Sequence, residues 1–485
     1  MSLRRQAVSG VKWTTAAMVC TTAIGFAQLA VLTRLLSQTD FGLMSMIATV
    51  IGFAQVYADM GFSGAIIYRQ DTTSDQLSTL YWMNLIASTG LFLIVLAVSP
   101  LVAAFFHEPS LRTPFVVTSF IFLITPVGQQ FQMLLQKTLQ FRRLATIEII
   151  SASLSLVVAV IAALEHQGVY SLIFAQLAST AAKAGMLGWY GWRHWTPRFH
   201  LKLHDLKGYF SFGLYQMGER SIYYWANNLD YLLIGRFLGA GPLGIYTIAF
   251  NLVIMPVTKL SPVLTRVAFP VFAKRQGDDA ALRRGYCEVI ELVSFFTFPL
   301  LIGLAASGSV AIVAVFGAAW TGSVILVQLL VPMGMLKSIG SASGSLFLSK
   351  GRADVGFWYN VVNTAVTFVV LWIAVHFGTA AVAASHSAIA IASIPLELYL
   401  LWLVSRLRPG DYLRRLVTPL AASGIMGAVV YLSCVMLRDR LSPVVCLGVL
   451  VVEGTALYVA LWSLLRRDYM PGLWRMLRSG REETA

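Results

Sequence analysis

The sequence predicts an all-α polytopic membrane protein of about fourteen transmembrane helices. Three observations point there: a composition too apolar for one aqueous core, a series of apolar runs of spanning length, and basic residues gathered in every second gap between runs. Of 485 residues, 57% are hydrophobic and only 12% charged, with a mean hydropathy of +0.73. Soluble proteins carry roughly a quarter charged residues, so much of this chain's surface has to face lipid.

A helix needs about 20 mostly apolar residues to cross the hydrocarbon core. On that measure the first six spans run near 10–36, 41–67, 77–99, 113–135, 144–164 and 168–190. The next six run near 209–237, 242–265, 286–306, 321–348, 355–377 and 379–404, and a final pair near 416–436 and 442–465. The first run follows Arg4 and Arg5 and continues to Leu36 with no convincing small-residue cleavage site. It reads as an uncleaved first helix rather than a signal peptide. The stretch from Val310 to Trp320 is too short to span and is expected to extend span nine or ten.

Lys and Arg collect in cytoplasmic loops. With the amino terminus inside, the even span count puts both termini on the cytoplasmic side. Most of the 36 basic residues then fall there, among them Lys137, Arg142, Arg143, Arg193, Arg198, Lys202, Arg283, Arg284, Arg406, Arg415 and Arg466. The opposite loops hold only Arg112, Arg438 and Arg440, with Arg34 and Arg236 at span ends nearby. The formal net charge of +14 therefore orients the chain in a membrane, and no nucleic-acid partner is expected. Cys20, Cys287, Cys434 and Cys446 all lie inside apolar stretches without metal-ligand spacing, so they are expected to pack as small apolar residues and no metal site is predicted.

The chain repeats itself. Arg34 to Gly42 and Arg236 to Gly244 share a spacing of eight, and Ser9 and Ser211 align at the same offset. Both copies enter from the cytoplasm, so the repeat has parallel topology and predicts two lobes in pseudo-twofold arrangement. These are 1–205 (spans one to six) and 206–407 (spans seven to twelve), with 408–485 holding spans thirteen and fourteen and a cytoplasmic tail. In each copy Gly permits close helix approach and the Arg snorkels toward headgroups. That reading is structural, and no catalytic residue is assigned.

The run Asn228-Leu229-Asp230-Tyr231-Leu232-Leu233-Ile234-Gly235-Arg236-Phe237-Leu238-Gly239, followed by Leu243-Gly244-Ile245-Tyr246 and Ala249, resembles the polysaccharide-transporter branch of the MOP flippase superfamily. Pro262-Val263-Leu264 through Phe269-Pro270-Val271-Phe272, and Asp59-Met60-Gly61-Phe62 before Arg69, add to the likeness. The motifs are similar to those of the Wzx-type exporters of colanic acid, exopolysaccharide and O-antigen. The resemblance implies a two-lobed bundle alternating between inward-open and outward-open states in the bacterial inner membrane. Its implied cargo is an undecaprenyl-pyrophosphate-linked oligosaccharide repeat unit. It makes a polymerase and chain-length machinery candidate partners beside the membrane lipids.

Ionisable groups inside a bilayer are costly and usually face the bundle interior or a wet cavity, and an anionic headgroup favours cationic or hydrogen-bonding walls. Span seven is unusually polar. Glu219, Tyr223, Ala226 and Asp230 share one face, and Arg220, Tyr224, Asn227 and Tyr231 share its neighbour, with Asn228 close by. Arg220 lies about 16 Å into the span at about 1.5 Å per residue. It is the leading candidate for a pyrophosphate contact, against the plainer reading that it pairs with Glu219 or another acid. Lys183 and Lys337 are the other deep cations. Asp59, Lys259, Glu397 and Glu453 are candidates for a gate or for proton or sodium coupling. Glu148, Glu288 and Glu291 lie near cytoplasmic span ends and are expected to pair with loop Arg and Lys or to belong to a gate. No cofactor is expected.

Other readings compete. A membrane glycosyltransferase or polymerase would need a sizeable extramembrane segment with clustered acids, whereas the longest loop, near 191–208, is basic. A multidrug antiporter favours an acidic cavity for cationic cargo, which Arg220 and the nearby lysines oppose. A peptidoglycan-precursor flippase shares the expected fold, and only the motifs argue against it. There is no Walker sequence, so ATP hydrolysis by this chain is not expected.

Overall fold

The structure, a computed structural model, describes residues 3–58, 72–193, 195–202, 204, 210–274 and 278–466. Among them fourteen long helical segments follow one another, in the number and order the apolar runs predict. They are α1 (Leu3–Leu35), α2 (Gln38–Ala58), α3 (Ser74–Phe106), α4 (Pro109–Lys137), α5 (Phe141–Leu164), α6 (Val169–Gly191) and α7 (Phe210–Leu238). Then come α8 (Ala240–Lys274), α9 (Asp279–Phe316), α10 (Ser323–Ser349), α11 (Ala353–Ala374), α12 (Thr379–Ser405), α13 (Pro409–Leu437) and α14 (Pro443–Leu465). Twelve of them are long and apolar enough to cross a membrane by length and composition alone. The two that fall short, α6 and α7, carry the polar residues that drew attention in the sequence. The chain is a multi-pass membrane protein.

The helices overrun the apolar windows at several ends. Span nine, expected near 286–306, is the 38-residue α9, about 57 Å long at about 1.5 Å per residue. Apolarity marks the hydrocarbon layer, while backbone hydrogen bonding continues past it until a cap intervenes. At the start of α9 that cap is Asp278, whose carboxylate accepts from the Ala280 and Ala281 amides at 3.0 Å. At the start of α3 it is a capping box between Thr73 and Gln76. The Val310–Trp320 stretch extends α9 to Phe316, where Gly317 at φ 99° turns the chain into a short 3-10 turn, Ala318–Trp320. Span four is not one rod: a 3-10 turn, Pro109–Leu111, leads into two α pieces that meet at Phe120.

The chain divides into two compact units, Met1–Gly244 and Ile245–Ala485. In the first, α1 packs on α5, α5 on α6, α6 on α4 and α4 on α3, while α2 takes α7. Small residues set the close approaches, as expected where lipid leaves van der Waals packing to drive association. A β-carbon on Gly128 of α4 would lie 2.7 Å from the Ala184 Cα of α6. The basic loop after α6 is not free in solvent. Trp82 of α3 donates to the Arg198 carbonyl at 2.8 Å and stacks on Phe199 at 4.9 Å. Trp195 donates to Ser74 at 3.1 Å, and the Arg198 amide donates to Ser78 at 3.2 Å. Residues 195–202 thus form a strap along the first turns of α3. His194, Lys207 and Asp205 lie outside the described residues.

In the second unit α9 is central, packing along α10, α13 and α14, while α12 bridges α10 and α11. One apolar cluster joins α9, α10 and α12 around Tyr286, Ile290, Ile339, Leu346 and Leu401. A second joins α9 to the final pair through Phe295, Met426, Val430, Tyr458 and Trp462. Tyr458 adds a 2.9 Å hydrogen bond to the Phe295 carbonyl. The final pair is therefore integral to this unit's core.

Candidate functional site

The polar seventh helix lies against α2. Tyr224 donates to the Thr49 carbonyl at 2.8 Å and reaches the Ala48 carbonyl at 3.2 Å. Gly52 makes room for it, since a β-carbon there would run into the phenol oxygen. Ser221 donates to Tyr57 at 2.9 Å. The Phe53 ring lies 4.7 Å from Trp225 and 5.4 Å from Tyr57. Helix periodicity spaces these contacts one turn apart along both helices. They commit Tyr224, offered by the sequence as a cargo-facing group, to holding α7 on α2.

The other polar residues of α7 divide into three sets. Asn227 and Asn228 turn their amides back onto the helix, donating to the Tyr223 and Tyr224 carbonyls at 2.8 and 2.9 Å. Asp230 is buried, and its carboxylate accepts from the Tyr231 amide at 3.0 Å. Glu219, Arg220 and Tyr223 are exposed on the protein surface. An exposed Glu-Arg-Tyr set beside an aromatic face offers a cation, an acceptor and a ring to a ligand. The side chain of Gln216 lies outside the described residues, as do Asp59 and the motif around it and the side chains from Pro262 to Phe272.

At the far end of α7 the repeat motif meets its own copy. Arg236 lies against the His107 imidazole and over the Phe105 ring at 5.5 Å, closing the left-handed C-cap that His107 makes at the end of α3 (φ 55°). Gly42 faces the Ala240 carbonyl so closely that a β-carbon would overlap it, and Gly244 faces the Gln38 carbonyl in the same way. Gln38 and Ala240 stand four residues before Gly42 and Gly244, so the two copies cross reciprocally, glycine against backbone carbonyl. Arg34 is exposed at the end of α1.

The remaining candidates are spread over both units. Lys183 is half-buried on α6, while Lys337 of α10 and Lys259 of α8 are exposed. Glu397 of α12 accepts a 2.6 Å hydrogen bond from Ser343 of α10, which lies 2.9 Å from the buried Tyr286 hydroxyl. Glu453 of α14 accepts from Ser433 of α13 at 2.9 Å and borders an apolar surface groove lined by Val445, Gly448, Val449 and Val452. Glu291 of α9 is 1% exposed and holds two guanidinium groups, Arg415 at 2.7 Å and Arg466 at 2.5 Å. Sequence reasoning expected an Arg or Lys partner for Glu291 but had no means of choosing these two. The partners of Tyr224, Arg236 and Glu397 were not signalled at all. Among the described residues no cluster of three metal-ligating side chains occurs.

Residues 31–325 match the family described as polysaccharide biosynthesis protein. Over 482 residues the chain is 35% identical to the teichuronic acid biosynthesis protein TuaB of Bacillus subtilis, covering 99% of both chains. The chain belongs to the polysaccharide biosynthesis protein family. Another relative, the lipopolysaccharide biosynthesis protein WzxC of Escherichia coli, is 32% identical over 75% of this chain and 74% of its own. Among solved structures, the lipid II flippase MurJ in an inward closed conformation matches this family member with a TM-score of 0.75. That match covers 96% of this chain and 100% of MurJ at 14% identity. An inward-facing multidrug resistance MATE transporter of the MOP superfamily matches at 0.64, over 80% of this chain and 96% of its own, at 15% identity. These two likenesses show that the chain shares the all-α fold of those two proteins.

Proposed function

We propose that this protein is a flippase that carries an undecaprenyl-pyrophosphate-linked oligosaccharide repeat unit across the bacterial inner membrane by alternating access. The observation that carries the reading is the match over 99% of both chains to a polysaccharide biosynthesis protein, in a chain that is otherwise a membrane bundle. The relative ExoT of Rhizobium meliloti, 23% identical over 74% of this chain, is named as a succinoglycan biosynthesis transport protein, which supports transport over polymer synthesis and a non-enzymatic role. The basic loops orient both termini to the cytoplasm. In this reading the repeat divides the transport machinery into two six-span lobes, with α7 heading the second. Arg220, with Glu219 and Tyr223 beside it, takes the pyrophosphate end, and Lys183 and Lys337 are further candidates for anionic contacts, each within its own unit. A polymerase and chain-length machinery receive the product.

A deletion strain tests this directly. It should accumulate the lipid-linked repeat unit in the inner leaflet, seen by mass spectrometry of the lipid-linked oligosaccharides, and lose the surface polymer. Normal polymer export without such accumulation refutes the reading. Accumulation of a peptidoglycan precursor instead assigns the chain to that cargo.

A further inference from the structure

We propose that Glu397 is a proton-exchange site inside the second unit, served by the hydroxyl groups of Ser343 and Tyr286. It rests on the transport reading only for what the proton does; the site itself stands on geometry. α12 carries Glu397 to α10, where the Ser343 hydroxyl donates to Oε1 at 2.6 Å. The Tyr286 hydroxyl from α9 lies 2.9 Å from the same Ser343 oxygen, and its ring, fully buried, stacks on Tyr412 of α13. At about 1.5 Å per residue, Glu397 lies about 12 Å from the Ser405 end of its helix, at the edge of an apolar cluster.

Glu291 and Glu397 are built differently. Glu291 meets two guanidinium groups, which have donors and no acceptors. Its setting therefore suits a carboxylate and leaves no acceptor for an acid hydrogen. Among the described residues Glu397 forms no ion pair, and its hydrogen-bond partner is a hydroxyl. A hydroxyl both donates and accepts and rotates to suit. Ser343 can donate to the carboxylate, or to the carbonyl oxygen of the neutral acid once a proton has added to Oε2. The Ser343 hydrogen bond to Oε1 therefore survives in both states.

The titratable groups facing Glu397 from the packed helices are Tyr286 of α9, Tyr359 of α11 and Tyr412 of α13. Lys337, the one titratable residue of α10, stands six residues from Ser343 and is exposed. Among the described residues no cation forms an ion pair with Glu397, and an ionisable group kept in a membrane interior without such a pair marks a candidate ion or proton path. The proton binds and leaves Glu397 as a whole ion, with no electron transfer. In the transport reading, its uptake and release bias the second unit between its two states.

Infrared difference spectroscopy of the purified, folded protein tests the site without any cargo. Between about pH 5 and about pH 8, the wild type should show a carboxylic-acid carbonyl band that Glu397→Gln removes. Ser343→Ala should keep that band and shift its frequency, because one hydrogen bond to the carbonyl is lost. Superimposable spectra of wild type and Glu397→Gln overturn the proposal. Proteoliposomes with a fluorescent polyprenyl pyrophosphate supply the second arm. An imposed pH gradient should speed transport by the wild type, and Glu397→Gln should abolish that stimulation while keeping gradient-independent transport. Stimulation that persists in the variant, or that follows a sodium gradient instead, overturns the coupling. A wild type that moves no lipid sinks the flippase reading, while the infrared band still decides the proton site.

Discussion

Glu291 offers the most quantitative test of how this fold is held. It bonds Arg415 at the start of α13 and Arg466 just past the end of α14, so one buried carboxylate ties the final pair of helices to α9. A hydrogen bond to a charged group contributes about 1.5–3 kcal/mol net. Here the arginines are 35% and 36% exposed, and solvent screening lowers that. Arg415→Ala or Arg466→Ala alone should therefore cost about 1–2 kcal/mol, since the second guanidinium still neutralises the acid. Removing both strands a carboxylate that is 1% exposed and should cost about 3–5 kcal/mol. Adding Glu291→Gln to the double variant should restore part of that loss, because the stranded charge is gone. Denaturant unfolding in detergent micelles, followed by tryptophan fluorescence, is a suitable assay. Trp462, fully buried against Phe295 at 4.8 Å, sits one turn before Arg466 and reports on this junction. A double variant within about 1 kcal/mol of wild type, or no recovery on adding Glu291→Gln, would refute the clamp.

Three further outcomes follow. Gly244→Ala should lower stability by about 1–3 kcal/mol through overpacking, because its β-carbon meets the Gln38 carbonyl. Gly241→Ala, with no atom within 4 Å of the new carbon, should be neutral or stabilising by up to about 1 kcal/mol; equal melting shifts in the two would remove the crossing. Trp82→Ala takes both the 2.8 Å hydrogen bond and the stacked ring from the strap, so trypsin should cut after Arg198 faster than in wild type; unchanged protection would show that the strap is held elsewhere. Arg220→Ala should leave the melting temperature within a degree or two, since surface changes cost about 0.5 kcal/mol or less, yet lower transport of polyprenyl pyrophosphate in proteoliposomes. Unchanged transport takes Arg220 out of the cargo path.

The fourteen segments were legible because spanning length and apolarity are properties of consecutive residues, and basic residues gather in alternate gaps between them. The polar character of α7 was legible for the same reason, and so was the repeat, since an eight-residue spacing repeats in the chain itself. The ends were less so: Asp278 and the Thr73–Gln76 box set them, beyond the point where apolarity fades. Which polar groups meet was not legible. Glu291 finds Arg415 and Arg466 across 124 and 175 residues, and Ser343 finds Glu397 across 54. Tyr224, which by helical phase looked free for a ligand, is taken up by backbone carbonyls of α2 at 175 residues' distance. Helical periodicity fixes the face a residue lies on but not the helix that covers it. Among helices that are apolar nearly all round, that neighbour follows from steric fit and polar pairing in three dimensions. The sequence by itself therefore determined the spans, the repeat and the charged and hydrogen-bonding groups available. Only the tertiary structure decided which of those groups clamp the bundle, which turn back on their own helix, and which lie at the protein surface.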